Sequence, residues 1–132
     1  EAYFCTPHVD QEGSLLPSQF PASAGPTPEA GCCAAFGGSD MNGDDACDDD
    51  PARFSGETWL ALNFQPSGKH RYAYQFVSNS KTGNEAEFTA SAFGDLDCDG
   101  IRSTFEIRGS GKVDGSDCDA EISPMYIENE TE

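Results

Sequence analysis

Hydrophobic and polar residues alternate along the second half of the chain and show little period in the first. In "KHRYAYQFVS", Tyr72, Tyr74 and Phe76 fall on one side, with Arg71, Ala73 and Gln75 on the other. A period of two marks a half-buried strand, because successive side chains point to opposite faces. "EAEFTASAF" repeats the pattern, setting Phe88, Ala90 and Ala92 against Glu87, Thr89 and Ser91. "IRSTFEIRG" repeats it again, with Ile101, Ser103, Phe105 and Ile107 opposite Arg102, Thr104, Glu106 and Arg108. Short turn sequences join the three segments. The prediction is an antiparallel meander, aromatic on one side and polar on the other. "PMYIENE" predicts an added edge strand, and "GETWLALNF" fits a short helix or a short strand equally. The expected fold class is therefore α+β or mostly β, with three to four antiparallel strands and long loops.

Residues 1–56 contrast with this. "EAYFC" reads as the frayed end of a helix, too short to stand alone. Pro17, Pro21, Pro26 and Pro28 withhold backbone donors and predict an extended loop. No long amphipathic helix occurs here, so the aromatic side of the sheet lacks an evident cover. A chain of 132 residues predicts one domain, which buries roughly two-thirds of its unfolded surface. Within it, 1–56 forms a loop-rich region and 57–132 the sheet and tail.

The formal net charge of -17 changes the list of partners. Such a surface repels nucleic acid and anionic membranes before contact. The six cysteines Cys5, Cys32, Cys33, Cys47, Cys98 and Cys118 include no CxxC pair, and neither histidine lies near a cysteine pair. Zinc is thereby disfavoured, and disulfides formed in an oxidising compartment are expected. The expected pairing joins Cys98 to Cys118, since both lie in acidic loops. Cys32 and Cys33 should take different partners, one pairing with Cys5 and the other with Cys47. No signal peptide and no membrane-crossing apolar run is present, so an exported protein would have its targeting or membrane-bound piece outside this sequence.

"GDLDCDG" carries the strongest chemistry. Asp95, Asp97, Asp99, Gly100, Ser103 and Glu106 follow the spacing of an EF-hand calcium loop, with the Ile101 carbonyl as a further ligand. Both flanks read as strands, however, and a straight strand after Gly100 carries Glu106 away from the ion. The competing reading is a hairpin turn in which the aspartates bond to nearby amides. Calcium binding and a metal-free turn both remain open. Catalysis has no comparable signal. His8 and His70 are isolated, and Ser14, Ser18 and Ser23 lie in plain loop sequence, so no enzyme is expected.

"RYAYQF", a turn, "FTASAFGDLDCDGIRSTFEIRG" and the acidic "ENETE" end together resemble the globular C-terminal part of type IV pilin-like proteins of the delta-proteobacterial type. The likeness is strongest from Trp59 to Gly109. Trp59, Leu62 and Phe64 match an aromatic segment before the sheet, with shifted spacing, and "FPASAGPTPEAGCC" resembles the stretch leading into it. The resemblance implies a structural subunit of an extracellular or cell-surface pilus, exported across the inner membrane. It implies a hydrophobic N-terminal helix packing on Tyr72, Tyr74, Phe76, Phe88, Phe105 and Ile107. That helix would be a missing segment of this protein or a separate small chain. Neighbouring pilin subunits are the other implied partners, and this part would make no direct membrane contact. Related pseudopilins carry calcium in a loop of the sheet. Cys98 departs from the glycine of many members, and the acidic insert from Gly31 to Asp50 has no counterpart. The alternative expectation is a secreted, monomeric calcium-binding or adhesive module.

Overall fold

A computed structural model describes residues 2–131. Glu1 of the "EAYFC" segment and Glu132 of the acidic end lie outside them. The chain begins with α1 (Ala2–Cys5) and a small hairpin of β1 (His8–Val9) and β2 (Leu15–Leu16). Then come β3 (Ala24–Thr27), α2 (Glu57–Ala61), β4 (Tyr72–Ser78), β5 (Glu87–Gly94), β6 (Ser103–Asp114), β7 (Asp117–Ile122) and β8 (Tyr126–Glu128). One antiparallel sheet runs β3-β4-β5-β6-β7, and β8 lies beside β6 on the same edge as β7.

The three alternating segments form β4, β5 and β6, and "PMYIENE" supplies β8. Two strands exceed the expected three or four. β3 arises inside the proline-rich loop, pairing Ala24 with Phe76 and Thr27 with Tyr74 across an irregularity. β7 arises because β6 continues to Asp114 before turning back. The ambiguous "GETWLALNF" is a helix, closed by a reverse turn in which Asn63 adopts φ 52. There the Phe64 amide donates to the Trp59 carbonyl at 2.9 Å and the Asn63 amide to Leu60 at 3.0 Å. Asparagine tolerates this left-handed geometry, and the Trp59 and Phe64 rings meet at 5.5 Å across the stop.

The expected missing cover exists in part within the chain. Phe4 is fully buried and stacks on Phe20 at 4.6 Å. Phe20 meets Phe88 at 4.7 Å, and Phe88 stacks on Phe76 at 5.2 Å. Two glycines on β6 make room for this stack. A Cβ on Gly109 would collide with the Phe88 ring, and one on Gly111 with the Phe4 ring and the Gly83 carbonyl. A second cluster of Phe54, Trp59 and Phe64 covers Tyr74, with Phe64 and Tyr74 4.9 Å apart. Thr58 ties α2 to the proline-rich loop by donating to the Ala22 carbonyl at 2.9 Å. Irregular loops can thus seal half of a sheet face when they present aromatic rings at the right points. Of the six residues expected to hold a helix, Phe76 and Phe88 are occupied by the chain itself and Tyr74 is covered on one side. Tyr72 lies over Gly94 and meets Phe105 at 5.9 Å.

The disulfides correct the expected pairing. They join Cys5 to Cys118, Cys32 to Cys47 and Cys33 to Cys98. Cys32 and Cys33 do take different partners, and Cys47 does bind one of them. Cys98 and Cys118 do not pair because β6 separates them. Cys98 lies before Ser103 at the start of β6, whereas Cys118 faces Val113 near its end. Ten residues of strand amount to about 34 Å. Cys5 instead reaches Cys118 because α1 packs on β7. With no free cysteine among the described residues, the chain belongs to an oxidising extracellular or periplasmic compartment. Among those residues no helix is long and apolar enough to cross a membrane.

Candidate functional site: two acidic turns and an apolar trough

The turn between β5 and β6 brings together the three aspartates of the predicted ligand set. Carboxylate oxygens of Asp95, Asp97 and Asp99 lie within 4.8 Å of one another. They already serve the backbone. Asp95 accepts from the amides of Asp99 and Gly100 at 3.1 and 3.0 Å. Asp97 accepts from Asp99 at 3.3 Å, and Asp99 accepts from Ile101 at 2.7 Å. Cys98 takes φ 59 and Gly100 φ 94, so the chain reverses through two left-handed residues. Ser103 is buried and donates to the Gly94 carbonyl at 3.2 Å. Glu106 stands on β6 and binds Arg108 at 2.9 Å. Neither belongs to the cluster, because the strand begins at Ser103 and does not fold back. With each carboxylate giving one oxygen, backbone carbonyls or water would have to complete the six to eight that calcium prefers.

A second acidic turn, Asp40–Asp48, has the same construction. Asp40 accepts from the amides of Asn42, Gly43 and Asp45 at 3.0, 2.7 and 2.7 Å. Asp44 accepts from Ala46, and Asp48 from Met41. Partial desolvation pushes the Asp40 carboxyl upward, but the amides of Asp45, Asn42, Gly43 and Asp44 outweigh it and hold it below its usual value. A hydrogen bond from Lys69 lowers Asp44, and the same contact raises Lys69. The alternation of Asp40, Asn42, Asp44 and Asp48 was a signal available in the sequence. The adjacent Cys32 and Cys33 bring the two turns to one end of the sheet. Cys32 closes the Asp40–Asp48 turn through Cys47, and Cys33 holds the Asp95–Asp99 turn through Cys98.

Both histidines are engaged by backbone carbonyls. His8 Nε2 lies 3.0 Å from the Tyr3 oxygen, and His70 Nδ1 lies 2.8 Å from the Tyr72 oxygen. His70 also sits close to Cys32 and Cys47, but their sulfurs are bonded to each other and offer no thiolate.

The uncovered half of the aromatic face is a trough of about 180 Å³ lined by Tyr74, Ala90, Ala92, Phe105, Ile107 and Met125. Register explains its shape. One cross-strand row reads Tyr74, Ala92, Phe105, Ile127, and the next reads Phe76, Ala90, Ile107. The small residues sit on β5, between larger side chains on both neighbours. They leave a depression parallel to the strands. Met125, which lines it, and Ile127, beside Phe105 on β8, are 58% and 43% exposed, so apolar surface faces water where no described residue covers it. The alternation of Ala90 and Ala92 was visible in "FTASAF", but the bordering Met125 was not anticipated. Burial raises the pKa of Tyr74 at the trough's edge, with Tyr72 adding to the shift.

No protein-family model matches this chain, and comparison with curated proteins and with solved structures found no match either.

Proposed function

We propose that the chain is the outward-facing head of an extracellular type IV pilus-like filament, carried on an apolar helix that lies along the trough. The observation that supports this reading is the trough itself. A sheet face half sealed by its own loops ends in an exposed strip whose floor is alanine. Alanine lets a helix backbone approach closely, and Phe105, Ile107 and Met125 supply the apolar flank. The helix is a further segment of the same protein or a separate small chain. Neighbouring subunits of the filament are the other partners. Their mutual repulsion at a charge of -17 is screened over about 8 Å at physiological salt.

The test places a charge on the trough floor. Ala92→Arg leaves the covered half of the sheet untouched, and its side chain can extend into water. The variant should fold, with a Tm within about 4 °C of the parent, and should be missing from fibres sheared from the cells that make the protein. Incorporation at the parent level would refute the reading. The competing module is favoured by the self-sealed stack of Phe4, Phe20, Phe76 and Phe88, which supports independent folding. A secreted protein that stays monomeric, with no surface fibres by negative-stain microscopy, would establish it instead.

A further inference from the structure

The polar side of the sheet carries an open groove that is separate from the apolar trough. One part, of about 750 Å³, is lined by the polar side chains of Glu87, Thr89, Arg108, Ser110, Glu121 and Ser123 and, among others, by Pro124. Its side of the sheet follows from Gly109, whose opposite side is filled by the Phe88 ring and Ile122. A second part, of about 500 Å³, shares Arg108, Ser123 and Pro124 and extends to Glu106 and Tyr126. The jog between β7 and β8 joins them. There the Ser123 amide donates to the Arg108 carbonyl at 2.8 Å, and the Arg108 amide donates to Ser123 Oγ at 3.0 Å.

Strand register arranges the lining side chains in rows. Glu87, Ser110 and Glu121 form one row. Thr89 and Arg108, with Ser123, form the next. Glu106 and Tyr126 form the third. Rows on one face are about 7 Å apart along a strand, and neighbours within a row about 5 Å. The surface therefore mixes acceptors, hydroxyls that do both, and one donor-only guanidinium at a spacing comparable to a sugar ring. Tyr126, 56% exposed, adds a flat apolar face at one end.

We propose that this groove binds a neutral oligosaccharide. Charge narrows the choice. Three carboxylates line the groove, and its one guanidinium is already held by Glu106 through Nε and a terminal nitrogen, both at 2.9 Å. An anionic glycan would meet net negative charge. A basic peptide would pair with Glu87 and Glu121 but leave the hydroxyls of Thr89, Ser110 and Ser123 unused. A polyol both donates and accepts at each ring carbon and matches all three rows, while its C–H face stacks on Tyr126.

The experiment titrates the intact, disulfide-bonded chain with maltohexaose, cellohexaose and mannohexaose, followed by amide NMR. At least one should shift the amides of Thr89, Arg108, Ser110, Ser123 and Tyr126, with a Kd of about 1 mM or tighter. Tyr126→Ala and Glu121→Gln, both at exposed positions, should each weaken binding by roughly fivefold or more. Three results would overturn the proposal. One is no shift with any of the three sugars at about 10 mM. The second is shifts that persist unchanged in both variants. The third is a response confined to a hexalysine control. Because the groove and the trough lie on opposite faces, Ala92→Arg should leave sugar binding unaltered.

Discussion

Removal of the Cys5–Cys118 bridge should destabilise the fold more than removal of either other disulfide. A cross-link restricts the unfolded chain in proportion to the logarithm of the loop that it closes. The sequence separations are 113, 65 and 15 for Cys5–Cys118, Cys33–Cys98 and Cys32–Cys47. At 25 °C these convert to about 4.8, 4.3 and 3.0 kcal/mol of loop entropy. Entropy alone barely separates the first two, but the packing does. Cys5 ends α1, a four-residue helix that cannot hold itself in water. Its Phe4 is completely buried against Phe20 and Gly111. Without the tether, Phe4 can leave, and full loss of such a ring costs about 3–5 kcal/mol. The variants to compare are Cys5→Ala with Cys118→Ala, Cys33→Ala with Cys98→Ala, and Cys32→Ala with Cys47→Ala. Urea unfolding followed by Trp59 fluorescence gives each stability, and non-reducing peptide mapping confirms the two bridges left intact. Phe4→Ala in the fully bridged chain isolates the ring. If the Cys5–Cys118 pair proves cheaper to remove than Cys32–Cys47, the account of how α1 is held is wrong.

Further outcomes follow from the acidic turns and Tyr74. Asp95→Ala should cost about 1–2 kcal/mol by urea unfolding, because the Gly100 amide loses its acceptor and the Asp99 amide keeps only its longer bond to Asp97. Added calcium should raise the parent Tm by less than about 2 °C, and a larger rise abolished by Asp97→Asn would mean that the turn binds the ion. Stability should also fall at both ends of the pH scale. The lowered Asp40 and Asp44 favour the fold above their unfolded value of 3.8, and that contribution disappears as pH drops through their folded values. The raised Tyr74 and Lys69 contribute fully below 10.0 and 10.5, and the gain is lost as pH climbs through their folded values. Tyrosinate absorbance should contain a late-titrating component that is absent in Tyr74→Phe; loss of only ordinary-range absorbance in that variant would contradict the burial of the ring.

Which parts of the fold could be read in advance depended on how local their causes are. Alternation in β4, β5 and β6 is written residue by residue, because each side chain's face depends only on its neighbours' faces. The end of α2 has an equally local cause, the asparagine of "LNF" where the helix reverses, but the segment is too short for its period to separate helix from strand, and the sequence left the two open. The cover of the aromatic face was not local. Phe4 and Phe20 sit in sequence without period, and their role depends on Gly109 and Gly111 a hundred residues away in the chain. The disulfides failed for the same reason. Similar acidic surroundings made Cys98 and Cys118 look like partners, yet the length of β6 keeps them at opposite ends. The calcium spacing is instructive in another way. Alternating aspartates before a glycine suit a cation and suit a tight turn, because both put oxygens inside a ring of backbone donors. The residues that distinguish the two, Ser103 and Glu106, are governed by where the strand begins. Ser103 faces the Gly94 carbonyl and Glu106 holds Arg108, so in this fold both side chains are engaged away from the aspartates. The trough has a mixed origin: its alanines were legible in "FTASAF", whereas the extent left open depended on how far the aromatic loops of the first half reach across the sheet.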